Sequence, residues 1–218
     1  MKITPAVPDP PEIEERLWQG FSDARISFDV GANCGQTLPR IRSFTSGAVV
    51  AFEPSEEAFA YLADRFFEED RYVLCPKAVS IVSGTVSLEA VPGKIETGQL
   101  VTAGTPGMEW SPDLGSGEVR VLECVSLDDY VAETGLVPDF IKIDVEGHEG
   151  FVISGAVEVL KHLPELLIEI HSEELGNIIF AQLSEDYKIQ AVRHPHYAAE
   201  SPLWKNHFWF KCFPLQKK

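Results

Sequence analysis

Two carboxylates and a glycine turn lie close together in the first quarter of the sequence. Asp29 stands beside a turn that contains Gly31, Asn33 and Gly35, and Glu53 follows this turn by roughly 20 residues. Glycines let a chain turn sharply and let a ligand approach the backbone closely. In nucleotide-binding folds an acid at this distance accepts hydrogen bonds from ribose hydroxyls. These residues predict a pocket for a cofactor that contains a ribose.

The residues of the turn discriminate between cofactors. A dinucleotide site reads Gly-x-Gly-x-x-Gly, but here Asn33 replaces the second glycine and Gln36 the third. The carboxylate of Asp29 would repel a pyrophosphate and attract a cation. S-adenosylmethionine has no phosphate and carries a sulfonium and an ammonium, so we expect this cofactor. An NAD-linked oxidoreductase and an ordinary strand–helix loop are the alternatives.

Candidate catalytic residues end two later apolar segments. Asp144 ends one of them, and Glu169 and His171 end the next. A hydroxyl that accepts a methyl group must lose its proton, and an unperturbed histidine titrates near neutral pH. His171 is therefore the first candidate for the general base, and His148, in the loop after Asp144, is the second. Each could instead be a helix-capping or loop histidine.

A metal site is a further hypothesis for the same residues. Asp144, Glu169 and His171 offer two carboxylates and an imidazole on neighbouring strand ends. Mg²⁺ or Mn²⁺ there could bind two substrate oxygens and acidify one hydroxyl. Alternatively, the acids bind the cofactor, cap helices or hold His171. We expect Lys142, on a buried strand, to pair with an acid.

The elements that would position these residues alternate between strands and amphipathic helices. Strands are predicted at 26–30, 48–53, 72–74, 77–80, 85–89, 119–125, 140–144, 166–171, 187–192 and 207–213. Helices are predicted after residues 36, 55, 126 and 149 and around 175–183. The helix after 149 would bury Ile153, Ala156, Val157 and Leu160 on one face. Such alternation indicates a mostly parallel sheet with helices on both faces, and the acids above would meet at the carboxyl ends of its strands.

Domain organisation follows from the same pattern. Residues 1–25 read as an irregular lead-in with a short helix over 12–21, and residues 26–218 as one domain. The stretch 91–117 has six glycines, three prolines and few helix or strand signals, which indicates a long loop that could cover the acceptor site. Met108 and Trp110 in that loop, and His194 and His196 in a later irregular segment, are candidates for contact with the acceptor.

Composition limits the classes of partner. The hydrophobic fraction of 44% is ordinary for a globular domain, and the net charge is −16. A surface this acidic disfavours nucleic acid and anionic membranes. No apolar run is long enough to span a membrane, the N-terminus has no sequence of signal type, and the four cysteines form no Cys-x-x-Cys pair. We therefore expect a cytoplasmic protein that acts on a small molecule or a glycan.

Five segments, taken together, resemble the FkbM family of methyltransferases. They read Phe-Asp-Val-Gly-Ala-Asn-x-Gly at 28–35, Ala-Phe-Glu-Pro at 51–54, Ser-Leu-Asp at 126–128, Phe-Ile-Lys-Ile-Asp-Val-Glu-Gly at 140–147 and Ile-Glu-Ile-His at 168–171. The resemblance implies a Rossmann-like methyltransferase fold with seven strands, the last one antiparallel. It also implies S-adenosylmethionine as donor and O-methylation of a hydroxyl, often on a sugar or a secondary metabolite.

The resemblance also implies site residues. The cofactor would contact Asp29, Gly31, Asn33, Gly35, Glu53, Pro54, Ala78, Val79 and Asp144. The glycine motif would bind the methionine part, Glu53 the ribose hydroxyls and residues 78–80 the adenine, while Asp144 would face the methyl group. The stretch 91–117 matches no family motif, and the part after Phe180 is short, so the acceptor is left open. A non-catalytic module that keeps the fold is a further alternative.

Overall fold

The computed structural model describes residues 11–67, 70–90, 99–101, 118–193 and 207–215. The strands are β1 (Ser27–Val30), β2 (Val49–Phe52), β3 (Tyr72–Cys75), β4 (Ala78–Val79), β5 (Gly84–Ala90), β6 (Gln99–Val101), β7 (Glu118–Val125), β8 (Phe140–Ile143), β9 (Glu165–Ile170), β10 (Tyr187–Arg193) and β11 (Phe208–Pro214). The helices are α1 (Pro11–Trp18), α2 (Leu38–Phe44), α3 (Glu56–Phe66), α4 (Leu127–Thr134), α5 (Glu149–Ser154), α6 (Val157–Leu160) and α7 (Glu173–Leu183). None of the helices in these ranges has the length and apolar character needed to cross a membrane.

A seven-stranded sheet forms the centre of the molecule, in the order β10-β11-β9-β8-β1-β2-β3. Strand β1 lies in its middle and pairs in parallel with β2 and β8, so that Val30 stands beside Phe52 and Ile143. Strand β11 runs antiparallel to both of its neighbours, β9 and β10. The predicted fold, a mostly parallel sheet with an antiparallel last strand, is confirmed.

Helices cover both faces of this sheet. Because alternate side chains of a strand point to opposite faces, the sheet contributes to two hydrophobic cores. One core joins Phe28 and Ile141 to side chains of α4, α5, α6 and α7. The other joins Val49 and Phe140 to side chains of α1, α2 and α3. This double cover explains why β2, buried along its whole length, appears in the sequence as an unbroken apolar run. Strands β1 and β8 are buried as well, and each carries one charged residue, Asp29 and Lys142, which pair with each other.

A second sheet of four strands, ordered β4-β7-β5-β6, forms between β3 and α4 along the chain. The prediction of a loop over the whole of 91–117 was wrong in one part, since β6 pairs antiparallel with residues 87–89 of β5. Three residues are too few to show the alternation that identifies a strand. The rest of that loop, with Met108 and Trp110, lies outside the described residues.

The single helix predicted after residue 149 is two helices, α5 and α6, separated at Gly155. A Cβ atom at Gly155 would lie 2.2 Å from the backbone oxygen of Ser80, so the chain turns where it passes this strand end. The carboxylate of Asp128 accepts hydrogen bonds from the backbone N–H groups of Glu158 (3.0 Å) and Val159 (2.9 Å) and caps α6. Val157, predicted to be buried, is 56% exposed as a result.

The helix that precedes the central sheet is fastened to its last strand. The ammonium group of Lys211, in β11, donates hydrogen bonds to the backbone oxygens of Arg16 (3.0 Å) and Gln19 (2.5 Å), at the end of α1. Leu17 and Trp18 are buried in the same core as Trp209 of β11. Carbonyl groups at a helix end lack partners within the helix, and a lysine supplies them here.

Candidate active site

The glycine turn after β1 holds three residues in the left-handed region, Gly31 (φ +81°), Asn33 (φ +50°) and Gly35 (φ +80°). Gly31 also passes very close to the loop after β8, because a Cβ atom there would lie 1.8 Å from the backbone oxygen of Asp144. No side chain can occupy that space. The sequence predicted Gly31 and Asp144 for one pocket, and the structure brings their backbones together.

Glu53 fastens the glycine turn to the end of β2. Its carboxylate accepts hydrogen bonds from the backbone N–H of Asn33 (2.8 Å) and from that of Ser55 (2.7 Å). Burial raises the pKa of Glu53 to about 7, against the effect of these two hydrogen bonds. Pro54 is partly buried beside it, whereas Ala78 and Val79 are buried in β4.

Lys142, in β8, connects the glycine turn after β1 with the loop after β8. Its ammonium group lies 3.1 Å from a carboxylate oxygen of Asp29 and 3.2 Å from one of Asp144, and it donates a hydrogen bond to the backbone oxygen of Gly31 (3.1 Å). Burial opposes the positive charge, but Asp144 and Asp29 outweigh it and raise the pKa of Lys142. The expectation that this lysine pairs with an acid is confirmed.

Asp29 lies behind the turn instead of on its surface. It is fully buried, and it accepts a hydrogen bond of 2.6 Å from the hydroxyl of Thr37 in addition to the Lys142 contact. Burial raises the pKa of Asp29, although Lys142 acts in the other direction. In this arrangement Asp29 supports the turn from within, and a direct contact with a cofactor would require it to leave its partners.

His171 forms an ion pair with two acids of the loop between β8 and α5. Its Nδ1 lies 2.8 Å from a carboxylate oxygen of Glu149, and its Nε2 lies 3.5 Å from one of Glu146. Burial opposes the charge of the imidazole, but the hydrogen bond and the charge of Glu149 raise the pKa of His171 to about 10. The sequence predicts His171 as the base because an unperturbed histidine titrates near neutral pH. With its pKa raised to about 10, the imidazole is protonated at pH 7 and cannot accept a further proton.

The sequence had assigned no role to Glu146 and Glu149. Glu149 is fully buried, and its carboxylate accepts hydrogen bonds from the backbone N–H groups of Val145 (3.2 Å) and Gly147 (3.0 Å) as well as facing His171. Glu146 adopts φ +54°, which is uncommon for a residue other than glycine. Burial raises the pKa of Glu146 to about 7. The available signal was that two further acids, Glu146 and Glu149, follow Asp144 within five residues.

His148, the second candidate base, is buried among other residues. It is 1% exposed, its Nε2 lies 3.0 Å from the hydroxyl oxygen of Ser80, and its ring stacks on Phe151 with the centroids 4.5 Å apart. Burial lowers the pKa of His148 to about 4. The ring is therefore neutral at pH 7 and acts in packing.

This neutral histidine makes a testable contribution to stability. In the unfolded chain the imidazole takes up a proton below about pH 6.5, whereas in the folded chain it does so only near pH 4. The contribution is therefore complete above about pH 6.5 and is lost as the pH falls to 4, by about 3 kcal/mol. We expect urea denaturation of His148→Gln to show a smaller loss of stability than the wild type over this range. His162→Gln, on the surface, is the control and should follow the wild type; an identical pH profile for His148→Gln would contradict the assignment.

Two groups of three side chains bring possible ligand atoms within 4.8 Å of one another in the described ranges. They are Asp144 with Glu146 and His171, and Glu169 with His171 and His207. The predicted trio, Asp144 with Glu169 and His171, is not one of these groups. His207 was missed because it follows His171 by 36 positions, and only strand pairing brings it near; its Nε2 lies 2.5 Å from a carboxylate oxygen of Glu169. His194 and His196 lie outside the described residues.

Solved structures of other proteins share this fold. The chain superimposes on a putative rRNA methylase from Clostridium thermocellum with a TM-score of 0.56 at 8% identity, covering 95% of this chain and 96% of that one. It superimposes on the N-methyltransferase NodS from Bradyrhizobium japonicum, in complex with S-adenosylhomocysteine, with a TM-score of 0.51 at 8% identity, covering 95% and 85%. The fold is that of the Rossmann-like methyltransferases.

Within that class the family follows from the sequence. A family model of the FkbM methyltransferase domain matches residues 29–189, which include the glycine turn, Glu53, Asp144 and His171. The chain belongs to the FkbM methyltransferase family, as its motifs had indicated. It is also 30% identical over 150 residues to the hexuronic acid methyltransferase AglP of Haloferax volcanii, and the match covers 67% of this chain and 56% of that relative. This chain therefore matches little more than half of the length of that relative.

Proposed function

We propose that this chain transfers a methyl group from S-adenosylmethionine to a hydroxyl of a sugar, a glycan or a secondary metabolite. One observation carries the proposal. The backbone N–H of Asn33, in the glycine turn with its positive φ angles, donates a hydrogen bond to the carboxylate of Glu53. This geometry supports the proposal, because the carboxylate that would bind the ribose lies beside a backbone that a ligand can approach, within the segment that matches the family.

Each part of the cofactor has a proposed partner. The turn with Gly31, Asn33 and Gly35 would hold the methionine part, Glu53 and the adjoining Pro54 would face the ribose, and Ala78 and Val79 would lie near the adenine. Asp29 would act through Lys142 and Thr37, which hold the turn in shape. Asp144 would face the sulfonium, because a carboxylate at the rim stabilises a cationic donor.

The reaction is an in-line displacement at the methyl carbon. The acceptor oxygen forms a bond to the carbon as the carbon–sulfur bond breaks, S-adenosylhomocysteine leaves, and the hydroxyl proton must be removed. His171 and His148 stay predictions for that base. The ion pair of the first and the burial of the second both count against a free imidazole, so we expect the hydroxyl to be acidified by another group at the rim.

The acceptor class is proposed from one relative and from the charges at the rim of the site. The relative AglP is by its name a hexuronic acid methyltransferase, which makes a sugar the first acceptor to test. The acidic rim, with Asp144, Glu146 and Glu169, favours neutral hydroxyls over an acceptor that binds through a carboxylate.

Calorimetry of the full chain with S-adenosylhomocysteine, with NAD as the comparison ligand, tests the cofactor. We expect micromolar binding of the first ligand and none of NAD. Glu53→Ala should weaken the binding by about 1–3 kcal/mol, the cost of an unmet buried hydrogen bond, or roughly 5- to 150-fold. Glu56→Ala, an exposed acid in the first turn of α3, is the control and should bind as the wild type.

Two results would contradict the proposal. Binding of NAD without S-adenosylhomocysteine would favour an oxidoreductase. Binding of neither ligand to folded protein would favour a non-catalytic module.

A further inference from the structure

The ligand atoms of Asp144, Glu146 and His171 have the spacing of a metal site. One atom from each lies within 4.8 Å of the other two. Ligands of one octahedral ion with bonds of 2.0–2.3 Å stand about 3–4.5 Å apart. Small side-chain movements would therefore bring all three atoms onto one ion.

A residue outside this trio orients the histidine. Glu149 is fully buried, is fixed by two backbone N–H groups and holds Nδ1 of His171 at 2.8 Å. Histidines that bind metals almost always donate their second ring N–H to such a carboxylate or carbonyl. Nε2 is thereby aimed at Glu146, at 3.5 Å, a distance too long for a strong hydrogen bond.

Exposure increases across the site towards one side. The side chain of Glu149 is 0% exposed, that of His171 14%, that of Asp144 27% and that of Glu146 34%. Three protein ligands would leave positions open on the exposed side for oxygens of a substrate. Those positions adjoin Asp144, which also lies against the glycine turn.

The charges of the site favour a cation. Three carboxylates, those of Asp144, Glu146 and Glu149, surround His171, and Lys142 contacts only the first of them. A bound cation would take the place of the proton on Nε2 of His171 in the ion pair with Glu146. Two oxygen ligands and one imidazole suit Mn²⁺ and Mg²⁺ better than ions that prefer thiolates. The second group of possible ligands is Glu169 with His171 and His207. It is less suited to an ion, because Nε2 of His207 already lies 2.5 Å from a carboxylate oxygen of Glu169.

We propose that Asp144, Glu146 and His171 bind one divalent cation, Mn²⁺ or Mg²⁺. Glu149 would orient His171 for this role through the contact with Nδ1. Such an ion would acidify a hydroxyl of the acceptor, whose proton would pass to solvent as the oxygen attacks the methyl carbon and the carbon–sulfur bond breaks. This catalytic role rests on the proposed function, whereas the binding of the ion does not.

The test is a titration of the full, EDTA-treated chain with MnCl₂, followed by electron paramagnetic resonance of the free ion and by competition with MgCl₂. We expect one Mn²⁺ per chain with a dissociation constant below about 1 mM. Glu146→Gln keeps the shape of a partly exposed side chain and should weaken binding at least about tenfold. Glu174→Gln removes an exposed acid of α7 and should leave binding unchanged.

The outcomes separate this site from the proposed function. Stoichiometric Mn²⁺ binding that is weakened by Glu146→Gln alone would support the site. No stoichiometric binding, or equal binding by both variants, would overturn it. Calorimetry with S-adenosylhomocysteine on the same EDTA-treated protein reports on the cofactor independently, so either proposal can fail while the other stands.

Discussion

Gly31→Ala should destabilise the fold by about 3–5 kcal/mol and abolish the binding of S-adenosylhomocysteine. A left-handed conformation costs a residue with a Cβ atom about 1–2 kcal/mol. The added methyl group would also lie 1.8 Å from the backbone oxygen of Asp144, and overpacking of this kind costs about 1–3 kcal/mol or more. Since domains are stable by only about 5–15 kcal/mol, the loss would be a large fraction of the total.

Gly135→Ala is the matched control for this prediction. Gly135 has φ +71° at the end of α4, but a Cβ atom there would meet no heavy atom within 4 Å. It should lose only the conformational part, about 1–2 kcal/mol, and should bind the ligand normally. Urea denaturation and calorimetry on both variants make the comparison. Equal stability of the two would mean that the turn after β1 does not touch the loop after β8.

Lys142→Met should destabilise the protein by about 3–5 kcal/mol at pH 7. Breaking a buried ion pair by removing one partner leaves an uncompensated charge, and here two carboxylates, Asp29 and Asp144, lose their cation. The backbone oxygen of Gly31 loses a hydrogen bond as well, so binding of S-adenosylhomocysteine should weaken too.

The pH dependence and a control distinguish this effect from lost packing. Without Lys142, the pKa of the buried Asp29 rises further above its ordinary value, so the folded variant takes up a proton that the unfolded chain does not yet bind. Its stability relative to the wild type should therefore increase as the pH falls towards 4. Lys161→Met removes an exposed pair with Glu158 and should cost less than about 1 kcal/mol. A deficit that is constant with pH would contradict the electrostatic explanation.

The central sheet could be predicted because its signals are local. The buried strands β1, β2 and β8 are rich in apolar residues, and the turn after β1 can be recognised from its glycines. The division of the helix at Gly155 could not be predicted in this way, because Gly155 packs against Ser80, which lies 75 positions earlier in the chain. The three-residue strand β6 depends in the same way on a partner in β5.

The candidate site shows the same limit. Its residue types could be read from the strand ends, but their protonation states could not. The properties of His171 depend on Glu149, which looks in the sequence like one more acid at the start of a helix, and His207 arrives from a different strand. Electrostatic environments are set by neighbours in space, and these are known only when the fold is known.

The tie between Lys211 and the end of α1 has a consequence for biosynthesis. The ribosome makes Leu17 and Trp18 long before β11, which carries both Lys211 and their neighbour Trp209. At about 5–20 residues per second, β11 is made roughly ten seconds or more after these two side chains, so their packing against Trp209 forms later than the contact of Trp18 with Phe44. During that interval Leu17 and Trp18 are incompletely covered, and chaperones bind exposed apolar segments of this kind. We expect a chaperone to release the chain only after β11 has joined the sheet.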